Sequence, residues 1–206
     1  MTTGSDLLVW IDCEMTGLDL TADELVEIAV VITDFDLNPV DEGLSVVIKP
    51  SDAALANMGE FVTAMHTTSG LIEEIPDGIS LADAEFRVLQ YVVDHIPDAQ
   101  KAPLAGNSIG TDRAFLAKFM PRLDAHLHYR NVDVSSVKEL ARRWYPRAYF
   151  NAPSKDGGHR ALADILESIR ELAYYRSAVF VPLPGPSSDE AKAAAAATVN
   201  AYASKV

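Results

Sequence analysis

Cysteine is almost missing: the 206-residue chain has one, Cys13, so no internal disulfide can form, which fits a reducing compartment. No apolar run approaches the ~18–20 residues that a membrane span requires. The segment from Met1 to Asp6 also lacks the basic stretch of a signal peptide. Together these lead to the expectation of a cytoplasmic protein with no membrane partner. Positive charge is scarce as well, with 17 Lys and Arg against 30 Asp and Glu and a net charge of −13. Proteins that grip extended nucleic acid display a basic stripe, because neutralised phosphates supply most of the non-specific affinity. None is visible, so no long nucleic acid is expected as a partner. The basic residues that do cluster, Arg142, Arg143 and Arg147, suit a helix C-terminus as well as a phosphate. Serine-hydrolase elbows, a cysteine paired to a base, a Walker A loop and a dinucleotide fingerprint are absent too, which removes those chemistries.

What is present is a globular composition, 49% hydrophobic and 23% charged, at a length that suits one domain plus a tail. The first fifty residues read as a meander of three strands, Leu7 to Cys13, Leu25 to Thr33 and Leu44 to Ile48, rich in Val and Ile. Helical spacing follows from Ala53 to His66, then a turn from Ser69 to Ile75. A stronger helix starts at Ser80 and Asp83, a capping-box-like pair, and runs to Pro97. Further expectations are a strand from Ala102 to Gly106, a helix from Thr111 to Met120 and a strand from Asn131 to Val134. Two more helices are expected, from Ser136 to Trp144 and from Arg160 to before Pro182. A meander followed by helices alternating with short strands predicts an α/β fold, a mixed sheet flanked by helices. The domain would cover residues 1–181. The Pro- and Ala-rich residues 182–206 would form a tail, either a marginal surface helix or a mobile segment.

Three groups of residues carry chemistry. Asp12 and Glu14 flank Cys13 at the end of the first strand, where alternation puts both acids on one face and the thiol on the other. Paired carboxylates on an apolar strand suffer desolvation and mutual repulsion that a bound cation relieves, although a solvated strand end would also accommodate them. Asp112 begins a helix just past the fourth strand, a place that suits a dipole-stabilising acid and equally a site at the C-terminal end of a sheet. His159 and Asp164 are five residues apart, about 140° around a straight helix, so one helix could not aim both at one site. A helix starting at or after His159 would free Gly157-Gly158 to swing the imidazole over a site that Asp164 faces. Oxygen ligation by Asp12, Glu14, Asp112 and Asp164 suits two hard cations, Mg²⁺ or Mn²⁺. With one mobile histidine as proton acceptor, that set fits two-metal phosphodiester hydrolysis.

The strings Trp10-Ile11-Asp12-Cys13-Glu14-Met15-Thr16-Gly17-Leu18 and Gly106-Asn107-Ser108-Ile109-Gly110-Thr111-Asp112, with His159 and Asp164, resemble the DEDDh exonucleases and, within them, the oligoribonucleases. The likeness extends from about Leu8 to Arg176 and includes His128-Tyr129-Arg130, Asp133-Val134-Ser135 and the segment from Val137 to Trp144. It implies an RNase H-like fold with a mixed five-stranded sheet, and a homodimer that removes nucleotides 3′ to 5′ from very short RNA, above all 5′-phosphorylated dinucleotides. By position, Asp12, Glu14, Asp112 and Asp164 would hold the metals and His159 would be the general base. Leu18 would wedge between two bases, Phe61 would stack on one of them and His66 would lie nearby. Ser108, with Tyr129, Arg130, Ser135 and Ser136 from the second subunit, would enclose the 5′ phosphate. Phe61 stands where the family commonly has Trp, which keeps a stacking face of smaller area. The alternatives are a DEDDh exonuclease acting on longer RNA or DNA and an inactive binding scaffold, which would be expected to have lost an acid.

Overall fold

The computed structural model describes residues 6–154 and 157–203. Five strands form one sheet: β1 (Leu7–Met15), β2 (Leu25–Asp34), β3 (Leu44–Val47), β4 (Pro103–Gly106) and β5 (His128–Asp133), in the order β3-β2-β1-β4-β5. β2 runs antiparallel to both β1 and β3, whereas β4 is parallel to β1 and β5 is parallel to β4. This is the mixed sheet expected from the sequence.

β1 is buried on both faces because helices cover both sides. Its odd-numbered residues Leu7, Val9, Ile11, Cys13 and Met15 join a core with α4 (Leu81–His95), α5 (Gly110–Phe119) and α6 (Pro121–His126). Its even-numbered residues Leu8 and Trp10 pack with Val134 of α7 (Val134–Trp144) and with Ala161, Ile165 and Ile169 of α9 (Ala161–Val179). Trp10 is enclosed and donates Nε1–H to Thr33 Oγ1 at 2.9 Å, so its polar atom is satisfied. The strand register therefore sends Cys13 into the first core and points Asp12 and Glu14 toward α9, as the alternation predicted.

Several boundaries differ from the sequence reading. The expected helix from Ala53 to His66 is two helices, α1 (Asp52–Asn57) and α2 (Glu60–Thr68), because Met58 and Gly59 take extended backbone angles. The expected turn after Ser69 holds α3 (Leu71–Glu74) and a short 3₁₀ turn, Ile75–Asp77. Pro121, just past the expected helix end at Met120, and Pro146, two residues past the expected end at Trp144, each open a new helix, α6 and α8 (Pro146–Phe150), at a position whose N–H has no helical partner anyway. β5 starts three residues earlier than expected, and α7 starts at Val134, where Asp133 caps it by accepting from Ser135 N. Ser80 caps α4 through Asp83 N at 3.1 Å, as the capping-box pattern foretold. In the tail, α10 (Ser188–Ala203) buries none of its residues, in keeping with alanine's helix propensity and small area.

Candidate active site

The acids converge where β1 ends. Glu14 is 7% exposed, and Asp112, also 7% exposed, reaches back from α5 so that its Oδ1 accepts from Cys13 N at 3.0 Å. Asp112 thus braces the strand that bears the other two acids and is more than a helix cap. α9 starts at Ala161, with Arg160 as its N-cap, so His159 lies outside the helix. His159 takes φ 48° and Gly157 φ 63°, a left-handed path that turns the imidazole back over the first turn of α9. The result is a group in which ligand atoms of Glu14, His159 and Asp164 all lie within 4.8 Å of one another. Five residues apart on one helix would have prevented this; the turn before the helix permits it.

Charge repulsion marks the same place. Burial first, then Asp112, Glu14, Asp164 and Glu27, push the Asp12 carboxyl well above its ordinary value. Glu14 is pushed up to about 7 by burial, Asp164, Glu27 and Asp112, with the Arg160 cation opposing. Asp112 is raised to about 6, chiefly by burial, against hydrogen bonds from its own amide and that of Cys13. Acids whose charge is disfavoured first by burial and then by neighbouring carboxylates are stabilised by a divalent cation, and hard carboxylate oxygens with one imidazole fit Mg²⁺ or Mn²⁺. Asp12 and Asp112 stand beside the tight group of Glu14, His159 and Asp164, and the Asp112 charge raises both the Asp12 and the Glu14 carboxyl.

The surrounding surface carries the remaining residues. Leu18, on the loop after β1, is 76% exposed, and Phe61, on the first turn of α2, is 81% exposed, so both present bare apolar faces. The Leu18 loop is framed by Asp23, which accepts from Thr16 Oγ1 at 2.9 Å and from Asp19 N at 2.8 Å. Asp133, at the end of β5, gathers the three serines. Its Oδ1 accepts from Ser108 N at 3.0 Å and from Ser135 Oγ at 2.6 Å, and its Oδ2 from Ser136 Oγ at 3.5 Å. Tyr129 and Arg130 are exposed on the edge strand, with Arg130 Nε donating to the Tyr129 hydroxyl at 3.1 Å, and are not gathered with the acids.

His66, expected near the stacked base, is fully buried, and its Nε2 donates to Met15 O at 2.8 Å, so its ring holds α2 against the end of β1. Of the basic cluster, Arg143 pairs with Glu139 and Arg142 lies over the Tyr149 ring, so both are engaged at the C-terminal turn of α7.

Sequence reasoning missed Glu27 and Asp23, gave Asp133 only as part of a shared motif, and read Arg160 only as a helix start. Glu27 is 1% exposed and sits directly across the β1–β2 ladder from Glu14. An acid inside the apolar run Leu25-Val26-Glu27-Ile28-Ala29 was the available signal, since such a residue requires a partner.

Comparison with known proteins gives the family and the fold. Residues 9–172 match the exonuclease family RNase_T. The chain is 70% identical over the whole of both chains to an oligoribonuclease of Leifsonia xyli subsp. xyli. It is 62% identical to an oligoribonuclease of Streptomyces griseus over 93% of this chain and 96% of that one. Among solved structures, a zinc-bound complex of E. coli exonuclease I with single-stranded DNA superposes with a TM-score of 0.67 at 15% identity. It covers 84% of this chain, which spans only 41% of that longer protein, and it shows the shared RNase H-like fold. The chain belongs to the RNase_T exonuclease family, on the branch whose curated members are oligoribonucleases.

Proposed function

We propose that this protein is a 3′–5′ exoribonuclease that degrades very short RNA, above all 5′-phosphorylated dinucleotides, to mononucleotides. The observation that carries this is the convergence of Glu14, His159 and Asp164 within 4.8 Å beside the strained carboxylates Asp12 and Asp112. Asp12, Glu14, Asp112 and Asp164 would hold two divalent cations, Mg²⁺ or Mn²⁺, whose chemistry when bound is to polarise the scissile phosphate and acidify the attacking water. His159 accepts the water's proton as the new P–O bond forms and the bond to the upstream 3′ oxygen breaks, leaving a 3′ hydroxyl and a 5′-mononucleotide. Its exposed, left-handed turn lets the imidazole approach and withdraw.

Leu18 and Phe61 would separate and stack the two bases, and an exposed apolar side chain gains most when a base covers it. His66 acts behind them by fixing α2. At the far end, the resemblance implied Ser108 from one subunit and Ser135 and Ser136 from the other; because Asp133 gathers all three serines within one chain, they would face the 5′ phosphate together, with Tyr129 and Arg130 of the partner subunit closing over it. A homodimer is supported by the exposed edge of β5 with Tyr129 and by the bare Leu140, Trp144, Tyr145 and Phe150 on α7 and α8. A closed cap suits a chain of net charge −13, because a dinucleotide is held by a few local contacts and not by a basic groove. The exonuclease unit would span residues 1–181, with 182–206 as an appended tail. We place the protein in the cytoplasm: its single cysteine is free and buried, and among the described residues no helix is long and apolar enough to cross a membrane.

The test is hydrolysis of 5′-phosphorylated RNAs of two to ten nucleotides with Mg²⁺ or Mn²⁺. Asp12→Ala and Asp164→Ala should each abolish turnover while the metal-free protein keeps its fold. Turnover retained by either variant would refute the two-cation reading.

A further inference from the structure

Arg160 stands between two carboxylates from separate parts of the fold. One edge of its guanidinium meets Glu27 of β2, with Nε 3.3 Å from both carboxylate oxygens and Nη2 3.0 Å from Oε1. The other edge meets Glu74, the last residue of α3, with Nη1 at 2.7 Å from Oε1 and Nη2 at 3.0 Å from Oε2. Glu27 is the anchored end. It is buried, accepts from Ser45 Oγ at 2.8 Å and caps α9 by accepting from Ala161 N at 3.1 Å. Glu74 is the looser end, with a side chain 47% exposed.

Each end of this bridge touches a working part. Arg160 is joined by one peptide bond to His159, whose left-handed backbone is held only where its surroundings fix it. Glu74 belongs to the segment α2–α3, which bears Phe61 at its start. That segment rests on a small cluster of its own, Leu71 and Ile75 with Val26, apart from the two main cores. Among the described residues, its long-range side-chain bonds are those of His66 to Met15 O and of Glu74 to Arg160. An element with so few buried anchors moves more readily than the sheet it lies on.

We propose that Arg160 is a positioning residue that couples the two ends of the site, so that a base stacked on Phe61 fixes α2–α3 and, through Glu74 and Arg160, aims His159. This rests on the reading of Phe61 as the stacking residue and His159 as the base. The geometry asks for arginine: only a planar fork presents two edges to two carboxylates at once, whereas a lysine offers a single charged point. Charge balance alone would need only the cation.

The experiment uses the full chain with Glu74→Gln, Arg160→Lys and, as a control that removes the same charge one residue away, Glu73→Gln. On a 5′-phosphorylated dinucleotide, Glu74→Gln should lower kcat/KM by about tenfold through both constants, as expected when a moving element is uncoupled from the chemistry. Adding Phe61→Ala to Glu74→Gln should cost less than Phe61→Ala costs the parent. Arg160→Lys should fail to restore the parent rate, and Glu73→Gln should match the parent. Hydrogen exchange of the metal-free, substrate-free protein should rise in Glu74→Gln both over residues 60–74 and over 157–165. A fall in kcat alone, additive with Phe61→Ala, would mean only less folded enzyme and would overturn the coupling, as would parent-like kinetics in Arg160→Lys. Unchanged exchange at 157–165 would overturn the mechanical link. A parent that does not hydrolyse dinucleotides would instead overturn the functional reading, whatever the exchange shows.

Discussion

Glu14→Gln should stabilise the metal-free protein, and by an amount that grows with pH. In the folded state the Glu14 carboxyl titrates at about 7, against an ordinary value of 4.5, because it is buried and faces Asp164, Glu27 and Asp112. A carboxyl whose value rises on folding holds its proton more tightly when folded. Ionising it therefore destabilises the fold as pH climbs from about 4.5, and the cost is complete above about 7. Worked through linkage, the penalty is under about 1 kcal/mol at pH 5 and about 3 kcal/mol at pH 8. Glutamine has the same shape and no charge, so it escapes the penalty. For a domain of this size, about 3 kcal/mol corresponds to a rise in Tm of roughly 6–12 °C at pH 8, shrinking toward 1–3 °C at pH 5. Thermal unfolding of both proteins in chelator, from pH 5 to pH 8, gives this difference directly. Adding Mn²⁺ should then raise the Tm of the parent more than that of the variant, since the cation binds only the folded site. A variant no more stable than the parent at pH 8, or a difference independent of pH, would refute the claim that the acids repel one another in the absence of metal.

Two further outcomes test individual roles. His159→Ala should lose roughly 10²–10⁴-fold in kcat while binding dinucleotide as before; lost binding with kcat intact would contradict its assignment as base. Arg130→Ala should weaken affinity for a 5′-phosphorylated dinucleotide by about 1.5–3 kcal/mol, the scale of a hydrogen bond to a charged group, and leave the 5′-hydroxyl form almost unchanged. Competition binding at several salt concentrations checks this, and the slope of log K against log salt should be about −1 to −2.

The parts of the fold legible in sequence were those with long patterns and clear ends. β1 and β2 announced themselves as apolar β-branched runs, and α4 by its cap at Ser80 and its stop before Pro97. The short helices were not legible, because α6 and α8 hold too few residues for a period to emerge and begin at prolines just past expected helix ends. The site divided along similar lines. Asp12, Glu14, Asp112, His159 and Asp164 were visible as residue types suited to a cation and a proton. Glu27 and Arg160 were not, because their meaning lies in a pairing across 133 positions of sequence that only the folded sheet creates. The inward turn of the His66 ring to Met15 O was likewise beyond the sequence, since it depends on how α2 packs on the end of β1.

The central claim, a site closed around two nucleotides, is tested most directly by competition between a 5′-phosphorylated dinucleotide and a 5′-phosphorylated ten-mer for the same enzyme with Mn²⁺. The proposed cap over the 5′ phosphate and the acidic chain predict that the dinucleotide is consumed first, with the higher kcat/KM. Preferential degradation of the ten-mer, with steep loss of activity as salt rises, would contradict it and mark an exonuclease of broader range.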